Sequence, residues 1–98
     1  MIGDSIYNLI KKLYDIPRSL TGDGVRKTLN IIKNDFLPEL IIHEVPSGSK
    51  VGDWIIPDEW NVTSAFIEDL KENKIINFEE NNLHLVGYSE PIDKIIDL

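Results

Sequence analysis

His43 and His84 are the side chains of this sequence best suited to proton transfer or metal ligation. Their surroundings argue against both roles. Each lies in a stretch rich in β-formers, with no second ligand at i+2 or i+4, whereas zinc takes three or four ligands. There is no cysteine, so neither a thiolate metal site nor a disulfide framework is available. None of the six serines sits in a G-x-S-x-G nucleophile elbow. Carboxylates are abundant throughout, and abundance alone does not mark a catalytic pair. The sequence therefore offers no catalytic residue and no metal ligand.

Three residues remain as candidates for binding or interface roles: Arg18, Trp54 and Trp60. Arg18 precedes the glycines of PRSLTGDG (17–24). Glycines ahead of a helix can expose backbone N–H groups to an anion that an arginine helps to hold. The competing reading is a capped, tight connection between helices with Arg18 on the surface. Asp23 already places negative charge at that helix start, which weakens the anion case, and no Lys-Ser or Lys-Thr follows Gly24, so this is not a P-loop. Trp54 and Trp60 lie in HEVPSGSKVGDWIIPDEW (43–60), a stretch crowded with prolines, glycines and serines. An indole there either anchors a packed corner or offers an aromatic platform to a peptide or sugar.

These candidates must be positioned by short elements. Ile6, Leu9, Ile10 and Leu13 recur at i, i+3, i+4 and i+7, the spacing of one helical face. Asp4 or Ser5 can cap the start, and Pro17 closes the helix near Asp15. Val25, Leu29, Ile32 and Phe36 repeat the pattern, with Thr21 or Asp23 as cap and Pro38 as stop. Beyond Pro38 the sequence predicts short strands over 39–45, 51–56, 61–68, 74–78 and 83–88. The turns fall at 46–49 and 81–82, and residues 69–73 form a hairpin loop. The fold class is α+β: two N-terminal helices followed by a small, mostly antiparallel β-rich unit. The division read from the sequence is 1–38 for the helical pair and 39–98 for the β-rich part.

Composition limits the partners. The 98 residues are 42% hydrophobic and 28% charged, with a net charge of −7. Residues 1–36 hold six Lys/Arg and four Asp/Glu, whereas residues 37–98 hold four and thirteen. So acidic a second half repels phosphates, and nucleic acid is not an expected partner. No apolar run approaches the roughly 18 residues of a membrane span. The start MIGDSIYNL lacks the features of a signal peptide, which makes a cytoplasmic location the expectation. Without a secretory route, the sequon Asn61-Val62-Thr63 is idle.

Longer motifs carry a resemblance. PRSLTGDGVRKTLNIIK (17–33), HEVPSGSKVGDWIIPDEWNV (43–62) and NNLHLVGYSEPID (81–93) together resemble the N-terminal portion of a bacterial family of uncharacterised proteins with a zinc-aminopeptidase-like domain. The matching positions include Arg18, Ser19, Thr21, Gly22, Gly24, Val25, Arg26, Thr28 and Leu29. Gly52 stands where that family often has a larger residue, which would loosen the corner. The resemblance implies that residues 1–38 open the peptidase-like domain and that residues 39–98 belong to a small β-rich domain inserted in it, cut short here. It further implies a non-catalytic, architectural or cleft-shaping N-terminal piece. Zinc is expected only in a full-length relative, and no cofactor in this chain. The expected partner is the remainder of the peptidase-like domain, or a second copy through self-association. The alternative is a free-standing interaction domain that holds a protein or a glycan through its tryptophan-bearing corner.

Overall fold

The computed structural model describes residues 1–97. Helix α1 spans Ile2–Tyr14 and helix α2 spans Asp23–Asp35. Two small antiparallel hairpins follow. One pairs β1 (Lys50–Val51) with β2 (Trp54–Ile55), and the other pairs β3 (Phe66–Glu68) with β4 (Lys74–Asn77). A short 3-10 turn covers Asn82–His84. The α+β class read from the sequence is what the chain adopts. Its residues group into two compact units, Met1–Thr63 and a second that starts at Ser64. No helix among the described residues is long and apolar enough to cross a membrane.

In the first unit, α1 begins earlier than its sequence suggests. Met1 occupies the N-cap, so Asp4 and Ser5 lie inside the first turn and neither caps. Ser5 instead donates its hydroxyl back to the Met1 carbonyl at 3.3 Å. The helix ends where Pro17 requires. Asp15 is the C-cap, and the Ile16 N–H closes on the Leu13 carbonyl at 3.2 Å. Ile16 is the one buried hydrophobic residue of the described chain.

Helix α2 also differs from expectation at its start. Its N-cap is Gly22, and no side chain of the loop provides the cap. At the far end the Phe36 and Leu37 N–H groups both reach the Ile32 carbonyl, and Pro38 follows. Residues 39–45 run without ladder pairing, so the strand predicted there does not form. β-formers make a strand only when a neighbour supplies the other half of the ladder. The segment predicted as one strand, 51–56, is instead a hairpin. Gly52 turns it with φ of 60°, and Gly-Asp between two short apolar runs is a hairpin signal in its own right. The register pairs Val51 with Trp54 and Lys50 with Ile55. Further bonds from Gly48 N–H to the Ile56 carbonyl and from Ile56 N–H to the Ser49 carbonyl extend the pairing.

The strand predicted over 61–68 shortens to β3, which lies in the second unit. The hairpin loop over 69–73 is as predicted. Asp69 explains it: its carboxylate accepts the N–H groups of Lys71 at 2.9 Å and Asn73 at 3.0 Å, together with the Asn73 side-chain amide at 3.1 Å. β3 and β4 pair Ile67 with Ile76 and then Glu68 with Lys74, which leaves Ile75 as a bulge. Residues 83–88 form no strand. The Asn81 side chain accepts the Leu83 N–H at 2.9 Å, which starts the 3-10 turn, and Tyr88 then takes a φ of 64°.

The bonds from Asn73 and Lys71 hold the Asp69 carboxyl below its ordinary value of 3.8. A depressed carboxylate stabilises the fold above its unfolded pKa and ceases to do so as pH falls through its folded pKa. The protection factors of the β3 and β4 amides, taken against the intrinsic exchange rate at each pH, should therefore fall as pH drops below 3.8. In Asp69→Ala that acid-dependent loss of protection should vanish, because protection is already low at neutral pH. NMR-detected exchange across a pH series measures both.

Candidate functional site

The chain's signature loop and its tryptophan-bearing corner meet at the start of α2. Gly24 is forced by the loop itself: a Cβ there would fall 1.9 Å from the Pro17 carbonyl oxygen. Gly22 is forced by the corner. It adopts φ of 128° and ψ of −171°, a region essentially restricted to glycine. A Cβ on it would lie 2.7 Å from both Asn61 Oδ1 and the Trp60 carbonyl oxygen. The backbone thus approaches closely enough for Asn61 Oδ1 to accept the Asp23 N–H at 2.8 Å, across 38 residues of sequence. That N–H is one of the helix's orphan donors, and a capping side chain usually comes from the adjacent loop.

Side chains of the loop add to the same junction. Ser19 donates its hydroxyl to the Trp60 carbonyl at 3.0 Å and also contacts the Thr21 carbonyl. Thr21 donates to the Asp58 carbonyl at 3.2 Å. One turn into α2, Arg26 gathers three carboxylates: Nη1 lies 3.0 Å from Asp23 Oδ1, Nε lies 3.4 Å from Glu44 Oε1, and Nη2 meets Glu59. The bond to Glu59 leads in holding the guanidinium above its ordinary value, with Asp23 and Glu44 adding to it against a desolvation cost. Arg26 is thereby the electrostatic clasp between α2 and both ends of the corner.

Beside this clasp is an open groove of about 440 Å³. Its apolar lining comes from Leu20, Val25, Leu29, Ile42, Val45 and Ile56, and its polar edge from Arg26, His43, Glu44 and Glu59. Both carboxylates at that edge already pair with Arg26.

The residues singled out by sequence occupy separate places. Arg18 faces the helices: Nη1 donates to the Leu13 carbonyl at 2.9 Å and to Thr28 Oγ1 at 3.2 Å, tying the end of α1 to α2. Trp54 lies on β2 and is 56% exposed. Trp60 is half-buried, with its carbonyl in the junction. His43 borders the groove in the first unit, whereas His84 belongs to the second, where Nδ1 lies 3.2 Å from the Asn77 carbonyl oxygen. Sequence reasoning missed the roles of Arg26 and Asn61. For Arg26 there was a local signal, Asp23 at i−3 on the same helix. For Asn61 there was none.

Among the described residues, no three or more His, Cys, Asp or Glu side chains are grouped to hold a metal ion.

The family described as a domain of unknown function (DUF4910) matches residues 7–92. A Clostridium acetobutylicum protein, named as a candidate polysaccharide biosynthesis protein with an aminopeptidase-like domain, is 51% identical over 96 residues. That alignment takes in 98% of this chain and 22% of the relative. The crystal structure of a candidate peptidase from the same species superposes with a TM-score of 0.88 at 52% identity, covering 95% of this chain and 22% of that one. The chain thus spans under a quarter of the length of the relatives it matches.

The junction generates a stability prediction. Asn61→Ala should cost about 1 kcal/mol, the usual worth of a helix cap. Gly22→Ala should cost about 1–3 kcal/mol, because its backbone conformation excludes a side chain. The double substitution should cost less than the two added together, since both break one contact. Urea denaturation followed by circular dichroism measures all three.

Proposed function

This chain belongs to the DUF4910 family, and from that premise we propose that it serves a larger aminopeptidase-like protein as a non-catalytic, architectural part that shapes or borders the substrate cleft. The observation that carries this reading is the direction of its polar chemistry. Ser19, Thr21, Arg18, Arg26 and Asn61 all close on the chain's own backbone or carboxylates. Groups engaged in this way hold a surface in place and are not poised to activate water or a carbonyl. In this reading the zinc and its ligands, where the larger protein uses them, lie on other residues. The working compartment is the cytoplasm, and the acidic surface keeps nucleic acid away.

A second reading has one specific observation behind it. Trp54, on a hairpin with exposed apolar neighbours Val51 and Ile55, is placed to contact a protein or glycan partner. A corner that borders a cleft would use the same side chain, so the two readings share a surface and differ in what covers it.

A peptidase assay tests the central point. The purified chain, incubated with aminoacyl p-nitroanilides with and without zinc, should release no nitroaniline above buffer. Zinc-stimulated release that disappears in His43→Ala or His84→Ala would overturn the reading.

A further inference from the structure

Helix α1 carries more apolar surface than its own unit covers. At 100° per residue its apolar side chains sweep an arc of about 160°, wider than the stripe of an ordinary surface helix. Only one edge of that arc, Leu9 and Leu13, is half-buried. The rest stands open: Ile6 and Ile10 are each 54% exposed, Tyr7 60% and Tyr14 72%. Helix α2 differs, since its apolar residues Val25, Leu29, Ile31 and Ile32 are all half-buried.

We propose that the open face of α1 is a docking seam, covered by an apolar face of the polypeptide that surrounds this chain in a larger aminopeptidase-like protein. The proposal rests on the reading above that such a larger protein carries the chain. The length of the relatives selects this occupant. The relatives are more than four times as long as the matched stretch, because the chain takes in only 22% of them, so a covering layer is at hand in the same molecule. Lys11, whose Nζ lies 5.1 Å from the Tyr7 ring centroid, marks the polar border of the seam.

A seam gives substitutions opposite effects in two contexts. In the free chain, Ile6→Glu/Ile10→Glu should leave the helical circular dichroism unchanged and lower the binding of a hydrophobic dye several-fold. The second context is a chimera in which this chain replaces the matching stretch of the Clostridium acetobutylicum protein. There the same pair should lower Tm by several degrees and create dye binding where the wild-type chimera has little. Tyr7→Ser/Tyr14→Ser, a milder change on the same face, should show the same contrast if the glutamates unfold α1. Unchanged Tm for both pairs in the chimera would overturn the proposal. So would a wild-type chimera that binds dye like the free chain. A discrete dimer of the free chain, lost in the variants, would also overturn it and make a second copy the occupant. Peptide cleavage by the free chain would defeat the architectural reading and leave these shifts untouched, so the two failures are distinguishable.

Discussion

One hydrogen bond organises the first unit: the Asn61 side chain accepting the Asp23 backbone N–H at 2.8 Å. The start of a helix exposes N–H groups that must be satisfied, and this loop does not satisfy them from its own side chains. Reaching the donor requires the 60–61 backbone to sit against residue 22, and only glycine leaves room for it. Once that approach is fixed, Ser19 and Thr21 find carbonyls to donate to. Glu44 and Glu59 come within reach of Arg26. Exposed ion pairs contribute little by themselves. Their use here is to hold the returning chain at a place that the cap has already chosen.

Local chemistry was legible in the sequence and remote chemistry was not. The i, i+3, i+4, i+7 series placed both helices, and Pro17 and Pro38 placed their ends. The Asp69 loop was readable because its bonds close within a few residues. The caps were misread because the donor-satisfying group for α2 is distant in sequence, and because α1 simply begins earlier than Asp4. The strands over 39–45 and 83–88 were over-read for a related reason: β-propensity describes a side chain's fit to a sheet, and no partner strand is there. The hairpin at Gly52 was hidden by treating 51–56 as one run, although Gly-Asp marks the turn. At the candidate site, the glycines of the signature loop were visible as unusual. What they make room for was not, since that depends on residues some 40 positions away.

The same division explains the character of the molecule. Its polar side chains bond mainly to its own backbone and carboxylates, while many of its large apolar side chains stand exposed. Among the described residues a single buried hydrophobic, Ile16, is far less core than a chain of this length ordinarily builds. The two-stranded hairpins are likewise below the size that is independently stable. Membership in a family whose Clostridium acetobutylicum relative is so much longer gives this imbalance a context.

The account depends most directly on the Asn61 cap, and the exchange rate of the Asp23 amide reports on it alone. An uncapped first-turn amide exchanges near the random-coil rate, whereas a capped one is protected. The account predicts measurable protection at Asp23 in the wild-type chain and its loss in Asn61→Ala with α2 still helical. Random-coil exchange in the wild type, or protection that persists without the Asn61 side chain, would contradict it.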